Sequence, residues 1–337
     1  MSLPARFPPA PPGTEGWPWD AGERPGIGAP DSVEPLPRIT VITPSLNQGE
    51  FIEETIRSIV MQGWPDLEYI VIDGGSTDGT LKVIRTYEPW IAYWVSEPDD
   101  GQADAINKGL RRATGDIVTW FNADDVYARG AFVAVAAAWR RNPRAIYAAP
   151  VANFDVLGHE TLIRPRNLTV EGVVQYWSGR ALWHDPGLFW SRAAIETVGE
   201  VDAALRYAFD YDYLVRGLQQ CPVEMIDSVV ARFRVHRRSK MVVGAERMMA
   251  ETTAVSRGYW SLLASVDRAG FERAEVDLRL RRGFKKLLGG EGEGLRILWH
   301  LRRERPVSVA RGLVLLVPAI IRVRLARLRA RGAAGFR

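Results

Sequence analysis

The sequence predicts an α/β fold, a parallel sheet with helices packed on it, and three observations support that class. Four short apolar runs, residues 39–43, 69–72, 91–95 and 117–121, have the length of buried strands. The stretches between them carry apolar residues at helical spacing, as at Phe51, Ile52, Ile56, Ile59 and Val60. Strand, turn and helix, repeated three times and closed by a strand, is the pattern of a parallel α/β sheet. Finally, the 337 residues are 47% hydrophobic and 25% charged, the composition of a folded chain rather than a disordered one.

The elements follow in order. Residues 1–37 hold 10 of the 21 prolines and few aliphatic side chains, which predicts a flexible, extended lead-in. From Arg38 the pattern changes to a strand over 39–43, a turn at Pro44-Ser45-Leu46-Asn47-Gln48-Gly49 and a helix over 51–61. A strand over 69–72 ends at Asp73, with a glycine-rich turn and a helix near 80–87 behind it. A strand over 91–95, a helix over 103–112 and a strand over 117–121 complete this half. The second half is less regular. It predicts a helix over 132–140, strands over 145–149 and 152–157 turning back at Leu157-Gly158-His159, helices near 192–198 and 211–219, and a helical stretch over 241–266.

Charge is unevenly distributed. Residues 271–337 carry 17 Lys/Arg and 6 Asp/Glu, a net +11, which leaves −7 on residues 1–270. Within this tail, Leu313-Val314-Leu315-Leu316-Val317 precedes Pro318, and Arg322, Arg324, Arg327, Arg329 and Arg331 interleave with Val323, Leu325 and Leu328. The apolar run is too short to span a bilayer and Pro318 would bend it. A basic segment lying on an anionic membrane surface, or packing on the acidic body, is the expectation. Nothing beyond charge points to nucleic acid. The single cysteine, Cys221, fits a reducing compartment, and MSLPARFPPAPPG has no apolar leader core, so a cytoplasmic location is expected, peripheral on the inner face of the membrane.

In a parallel α/β sheet ligands bind beyond the carboxyl ends of the strands. Thr43, Asp73 and the group Asn122-Ala123-Asp124-Asp125 all fall there, so they are expected in one crevice. Asp73-Gly74-Gly75-Ser76-Thr77-Asp78-Gly79-Thr80 is not a phosphate loop, because Thr80 stands where lysine is needed and two aspartates would repel phosphate. A carboxylate here suits a base or ribose, and Asp78 suits a cap on the next helix. If the fourth strand persisted through Asn122 to Asp125, Asn122 and Asp124 would share one side and Asp125 the other. Oxygen donors on one side, joined by diphosphate and water, suit Mg²⁺ or Mn²⁺, while Asp125 suits a helix N-cap.

The segments TVITPSLNQGEFIEETIRSIVMQ, VIDGGSTDGT, SEPDDGQADAINKGLRRATGDI and FNADD resemble the inverting family 2 glycosyltransferases of GT-A fold, densely over about ninety residues and more weakly to about Lys240. The resemblance implies a Rossmann-like mixed sheet flanked by helices. Residues 38–130 would form the nucleotide-sugar half, 131–240 the acceptor half, and 241–337 a helical, basic C-terminal extension. It implies that Thr43, Pro44 and Asp73 line the nucleoside site, that Asp100, Gly101, Asn107 and Lys108 border the nucleotide and sugar, and that Asn122, Ala123 and Asp124 meet the diphosphate. Asp124 and His236 would hold a divalent metal, Mn²⁺ or Mg²⁺. Asn122 departs from the family's usual Asp-X-Asp. Asp210 matches the catalytic base, although Phe209 replaces the preceding glutamate, and Asp212 is the alternative. Trp183, His184 and Trp190 fall on the acceptor side. The processive Gln-x-x-Arg-Trp motif is absent, so a single sugar per encounter is expected.

The function implied is inverting transfer from a nucleotide-diphosphate sugar, UDP-sugar favoured, to a glycan or lipid-linked acceptor in cell-surface polysaccharide or glycolipid assembly. Two rivals stand beside it. A sugar-phosphate nucleotidyltransferase also joins a nucleotide site to a metal, but it wants a basic loop after the first strand, which residues 44–49 lack. A nucleotide-sugar-binding scaffold without turnover is motivated by Asn122 and Phe209.

Overall fold

The computed structural model describes residues 7–19, 36–155, 158–236, 238–240, 244–288 and 292–304. They fall into two compact units, one ending at Ala264 and the other beginning at Ser265.

In the first unit the alternation of strand and helix runs as the apolar pattern requires. β1 (Ile39–Ser45), α1 (Ile52–Val60), β2 (Leu67–Asp73), α2 (Thr80–Tyr87), β3 (Tyr93–Ser96), α3 (Gln102–Leu110) and β4 (Ile117–Trp120) build its parallel part. Side chains alternate across β1, β2 and β4. Ile39, Val41, Tyr69, Val71 and Ile117 enter one core with α1 and α2, whereas Ile42, Ile70, Ile72, Val118 and Trp120 enter the other, against α3. Gly109 lets α3 sit directly on β1, since a Cβ there would come within 2.3 Å of Ile42.

Beyond β4 the chain forms β5 (Val126–Tyr127), α4 (Ala131–Arg141), β6 (Ile146–Ala148), β7 (Val151–Asp155), β8 (Glu160–Ile163), α5 (Val170–Val174), β9 (Leu188–Ser191), α6 (Arg192–Val198), α7 (Phe209–Leu218), β10 (Val223–Met225), β11 (Ala231–Val235) and α8 (Ala245–Gly258). The large sheet has the order β10-β6-β9-β4-β1-β2-β3, and β9 is antiparallel to both β4 and β6. The sheet is therefore mixed. A second sheet, β5-β11-β7-β8, pairs β11 antiparallel to β5 and parallel to β7. The register places Ser45 beside Asp73, and Asp73 beside Ser96, so the carboxyl ends of the parallel strands lie along one edge.

The expected lead-in needs correction over residues 7–19. Far from being free, this segment packs on the body around Arg57, a fully buried residue of α1. Of the helical stretch expected over 241–266, α8 and a 3₁₀ turn at Trp260–Leu262 form the described part. Leu157 at the expected hairpin turn lies outside the described residues.

In the second unit α9 (Arg268–Leu288) and α10 (Gly292–Glu304) pair through Leu280, Phe284, Leu298 and Leu301. The tail residues 305–337, with their interleaved arginines, lie outside the described residues. No described helix is long and apolar enough to cross a membrane.

Candidate active site

A crevice of about 620 Å³ opens where β1 and β4 end and where the 183–186 segment, the start of α7 and the chain after β11 converge. β4 stops at Trp120, so the Asn122–Asp125 stretch is a turn, closed by Asp125 N–H donating to the Asn122 carbonyl at 3.2 Å. The expected division of faces nonetheless results. Asn122, Ala123 and Asp124 line the crevice, and Asp125 is fully buried.

Asp125 does not cap α4, whose start at Gly130 has no side-chain cap. Its carboxylate instead accepts from Arg234 N–H (3.0 Å) and Asn122 Nδ2 (3.2 Å). Burial, then the neighbouring Asp124, holds its pKa well above the usual carboxylate range. Arg234 braces the same turn through Nε to the Asp124 carbonyl (3.0 Å) and pairs with Glu54 at 2.5 Å. One residue pair further along, His236 Nε2 lies 2.9 Å from Asp124 Oδ2, with its ring against Phe51.

Asn122 has a different set of partners. Its Oδ1 accepts from Gln102 Nε2 (2.7 Å), and Gln102 Oε1 accepts from Lys240 Nζ (3.1 Å). A chain of hydrogen bonds thus runs from Lys240 at the crevice wall through two amides to the buried carboxylate of Asp125. Lys240 also sits 5.2 Å from the rings of both Tyr207 and Phe209. Burial lowers its pKa, and the carboxylate of Asp210 opposes that shift.

Asp210 reaches the crevice from the second position of α7, and one oxygen accepts from Tyr211 N–H at 2.7 Å. Burial pushes its pKa up to about 6 against the pull of that N–H and of Lys240. Asp185, on the same crevice wall, accepts from Trp120 Nε1 at 3.1 Å; burial and then Asp210 hold it well above the ordinary range. His184 is packed against Phe233, and burial drops its pKa to about 4, so it is neutral at pH 7. Trp183 lines the crevice with its ring stacked on Tyr211.

The family model Glycosyl transferase family 2 matches residues 40–185, which span the parallel half and its link to β9. Residues 40–185 are a glycosyl transferase family 2 domain. An uncharacterized glycosyltransferase of Mycobacterium tuberculosis is 28% identical over 224 residues, 64% of this chain and 84% of its own length. A putative teichuronic acid biosynthesis glycosyltransferase of Bacillus subtilis is 40% identical over 92 residues, covering 26% of this chain and 36% of that protein. Among solved structures, a mannosyltransferase from Pyrobaculum calidifontis in complex with GDP-Man and Mn²⁺ superposes with a TM-score of 0.52 at 25% identity, covering 89% of this chain and 80% of that one. The mixed sheet flanked by helices is the GT-A architecture that the resemblance implied.

Several residues singled out by motif in this glycosyltransferase lie elsewhere. Thr43 is buried and takes a hydrogen bond from Tyr69. Asp73 is buried too, its carboxylate accepting from Gly75 and Ser76 N–H and from the Ser76 and Ser96 hydroxyls, so it shapes the turn after β2. Asn107 clamps Val201 through both backbone polar groups at 2.8 Å, and Lys108 pairs with Glu97. Asp100 and Lys108 do not line the crevice, whereas Pro44 and Gly101 do. Trp190 is core, stacked beside Trp120 and edge-on to Tyr213. Asp212 faces away from the crevice, with one oxygen on Arg216 Nε and the other on Tyr259 OH. It is therefore a brace and not an alternative base.

The crevice also holds residues that motif reading passed over: Asp99, Gln102, Asp185, Arg206, Arg238 and Lys240. Asp99 and Gln102 stand inside the quoted segments, and Asp185, Arg206, Arg238 and Lys240 in the stretch of weaker resemblance to about Lys240; only their packing distinguishes them.

The donor atoms can be tested against a divalent cation. Among the described residues no group of three His, Cys, Asp or Glu side chains is gathered for a metal. The Asp124–His236 pair supplies two, and their 2.9 Å separation matches the edge, about 3 Å, of an octahedron with ligands at about 2.1 Å. Asn122 adds none, because its carbonyl is held by Gln102. Two protein ligands fit an ion whose remaining positions fall to phosphate and water.

Proposed function

We propose that this glycosyltransferase moves one sugar from a nucleotide-diphosphate sugar to an acceptor hydroxyl with inversion, in the assembly of cell-surface polysaccharide or glycolipid. The observation that carries this reading is one crevice lined both by Asp124, which meets His236 and is assigned to the diphosphate, and by Asp210, assigned to the acceptor. The printed names of the relatives support the cellular role and the class of donor: one is assigned to teichuronic acid biosynthesis, and one binds GDP-Man with Mn²⁺.

A divalent ion held by Asp124 and His236 would supply positive charge to the diphosphate. Lys240, Arg206 and Arg238 line the same crevice and offer further positive charge to the leaving nucleoside diphosphate. Asp210, with a pKa near 6, is ionised at neutral pH yet basic enough to accept the acceptor hydroxyl's proton as that oxygen attacks. The new C–O bond forms on the face opposite the departing diphosphate, which inverts the anomeric carbon. Trp183 and neutral His184 present flat, uncharged surfaces suited to a sugar acceptor. The basic C-terminal residues would bring the enzyme to an anionic inner membrane surface where lipid-linked acceptors are held.

Two substitutions test the reading. Asp124→Ala should abolish Mn²⁺-dependent binding of UDP- and GDP-sugars in a thermal-shift titration, a loss of at least about 100-fold. Asp210→Asn should leave that binding within about twofold and lower kcat by at least about 1,000-fold. In the unaltered enzyme kcat should fall about tenfold per pH unit below about pH 6, because the active carboxylate is lost as pH drops through its pKa. Survival of transfer in the Asp210 variant would reassign the base, with Asp185 next to examine.

A further inference from the structure

The N-terminal segment has no place in the family match, which starts at residue 40, yet it is bound into the body at a place that matters. Arg57 is fully buried on α1, and among the described residues no carboxylate pairs with it directly. Its guanidinium instead donates to the carbonyls of Pro8 (3.0 Å), Pro18 (3.3 Å) and Trp19 (3.5 Å), and to Tyr87 OH (3.0 Å). The rings of Phe7 and Trp19 cover it at 4.9 and 5.1 Å. A buried cation needs such a shell, and most of its described partners are chain from residues 7–19. The same segment reaches β5, where Trp17 Nε1 donates to the Tyr127 carbonyl at 2.7 Å.

Both anchor points lead directly to the metal-site turn. From α1, Thr55 Oγ1 donates to the Asp125 carbonyl (2.7 Å), and Ser58 Oγ accepts from Tyr127 N–H (3.0 Å). Arg57 lies between those two residues. The turn carrying Asp124 is thus held between α1 and β5, and residues 7–19 tie α1 to β5 from behind.

The geometry points to a positioning role for residues 7–19: they form a strap that, through Arg57 and the Trp17 indole, fixes α1 against β5 and so sets the Asp124–Asp125 turn for donor binding. This rests on the assignment of Asp124 to the donor diphosphate. Arg57 and Trp17 are positioning residues; neither lines the crevice.

The test uses the full chain with Trp17→Phe, which keeps a ring but removes the N–H, and Arg57→Met, which keeps the bulk but releases three carbonyls. Two readouts are taken. Amide hydrogen exchange at Asp125, Tyr127 and Ala128 is measured without ligand, and half-saturating Mn²⁺ is measured in donor binding. Ile195→Val, in the core on the other side of the sheet, serves as a control for general loss of core stability. The strap predicts exchange at those three amides faster by about threefold or more in Trp17→Phe and by about tenfold in Arg57→Met, with no such change in the control. Half-saturating Mn²⁺ should rise in parallel while kcat at saturating donor and metal stays within twofold. Exchange unchanged beyond what the control shows overturns the strap. If the unaltered chain gives no Mn²⁺ response at all, the donor-site reading fails, and the exchange data still decide the mechanical link.

Discussion

The two halves of the GT-A domain reach the crevice by different routes. In residues 39–120 a repeated strand–helix unit lays the strands side by side in parallel, β1 with β2 and β4, and β2 with β3. In residues 126–235 the repeat is lost and the pairing is mixed. β9 inserts antiparallel between β4 and β6, and β11 returns across more than a hundred residues to β5. The first half brings strand ends to an edge; the second brings specific side chains, Arg234, His236, Asp210 and Asp185, up to that edge. A local pattern builds the floor, and long-range contacts complete the chemistry.

Breaking the joint between halves should have the largest effect. Arg234→Met removes the bonds to the Asp124 carbonyl and to Glu54, and leaves a partly buried glutamate unpaired. We expect a loss of about 2–4 kcal/mol in chemical denaturation and a fall of about tenfold or more in donor affinity. A stability loss with donor affinity intact would show that the halves are joined but not coupled.

Stability at Asp210 sharpens the comparison on the acceptor side. Its folded pKa of about 6 lies above the ordinary 3.8, so the buried carboxylate destabilises the fold above about pH 6 and ceases to do so below about pH 4. Asp210→Asn should therefore raise stability by about 1–3 kcal/mol at pH 7.5, and the gain should vanish as the pH is lowered toward 4. A pH-independent gain would mean that side-chain packing, not charge, is responsible.

Asn122→Asp carries the smallest expected effect and the sharpest question. Family resemblance suggests that aspartate here would strengthen metal binding. The structure predicts the opposite, because the new carboxylate would lose the donation to Asp125 and face its buried charge at about the same position. A loss of about 1–2 kcal/mol in stability, with half-saturating Mn²⁺ unimproved, is the expected result. Tighter Mn²⁺ binding would restore position 122 to the ligand set.

What could be read from the chain follows the same division. The elements through β4 stand close to where apolar periodicity places them, because each belongs to a repeated strand–helix unit. β9 escaped notice although Leu188-Phe189-Trp190 is an apolar run behind Pro186-Gly187, since its antiparallel place in the sheet breaks that repeat. At the site, Asn122, Ala123, Asp124 and Asp210 are where the motifs put them, and Asp124 meets His236. Thr43, Asp73, Asn107, Trp190 and Asp212 sit one step away in burial. A motif marks a segment but not which of its side chains turns inward, and one residue of offset exchanges a crevice wall for a core. Residues 7–19 misled for a related reason: a proline-rich composition shows little apolar surface, yet carbonyl oxygens around Arg57 hold it in place.

The Asp124–His236 contact spans 112 positions of chain. Loop-closure entropy disfavours that contact before β11 has paired with β5 and β7, so the two side chains should come within reach of one another late in folding. During refolding the far-ultraviolet signal of the parallel half should recover first and Mn²⁺-dependent donor binding afterwards. On a ribosome, a nascent chain that already displays the family's most recognisable segments would still be blind to its donor until residue 236 had left the exit tunnel.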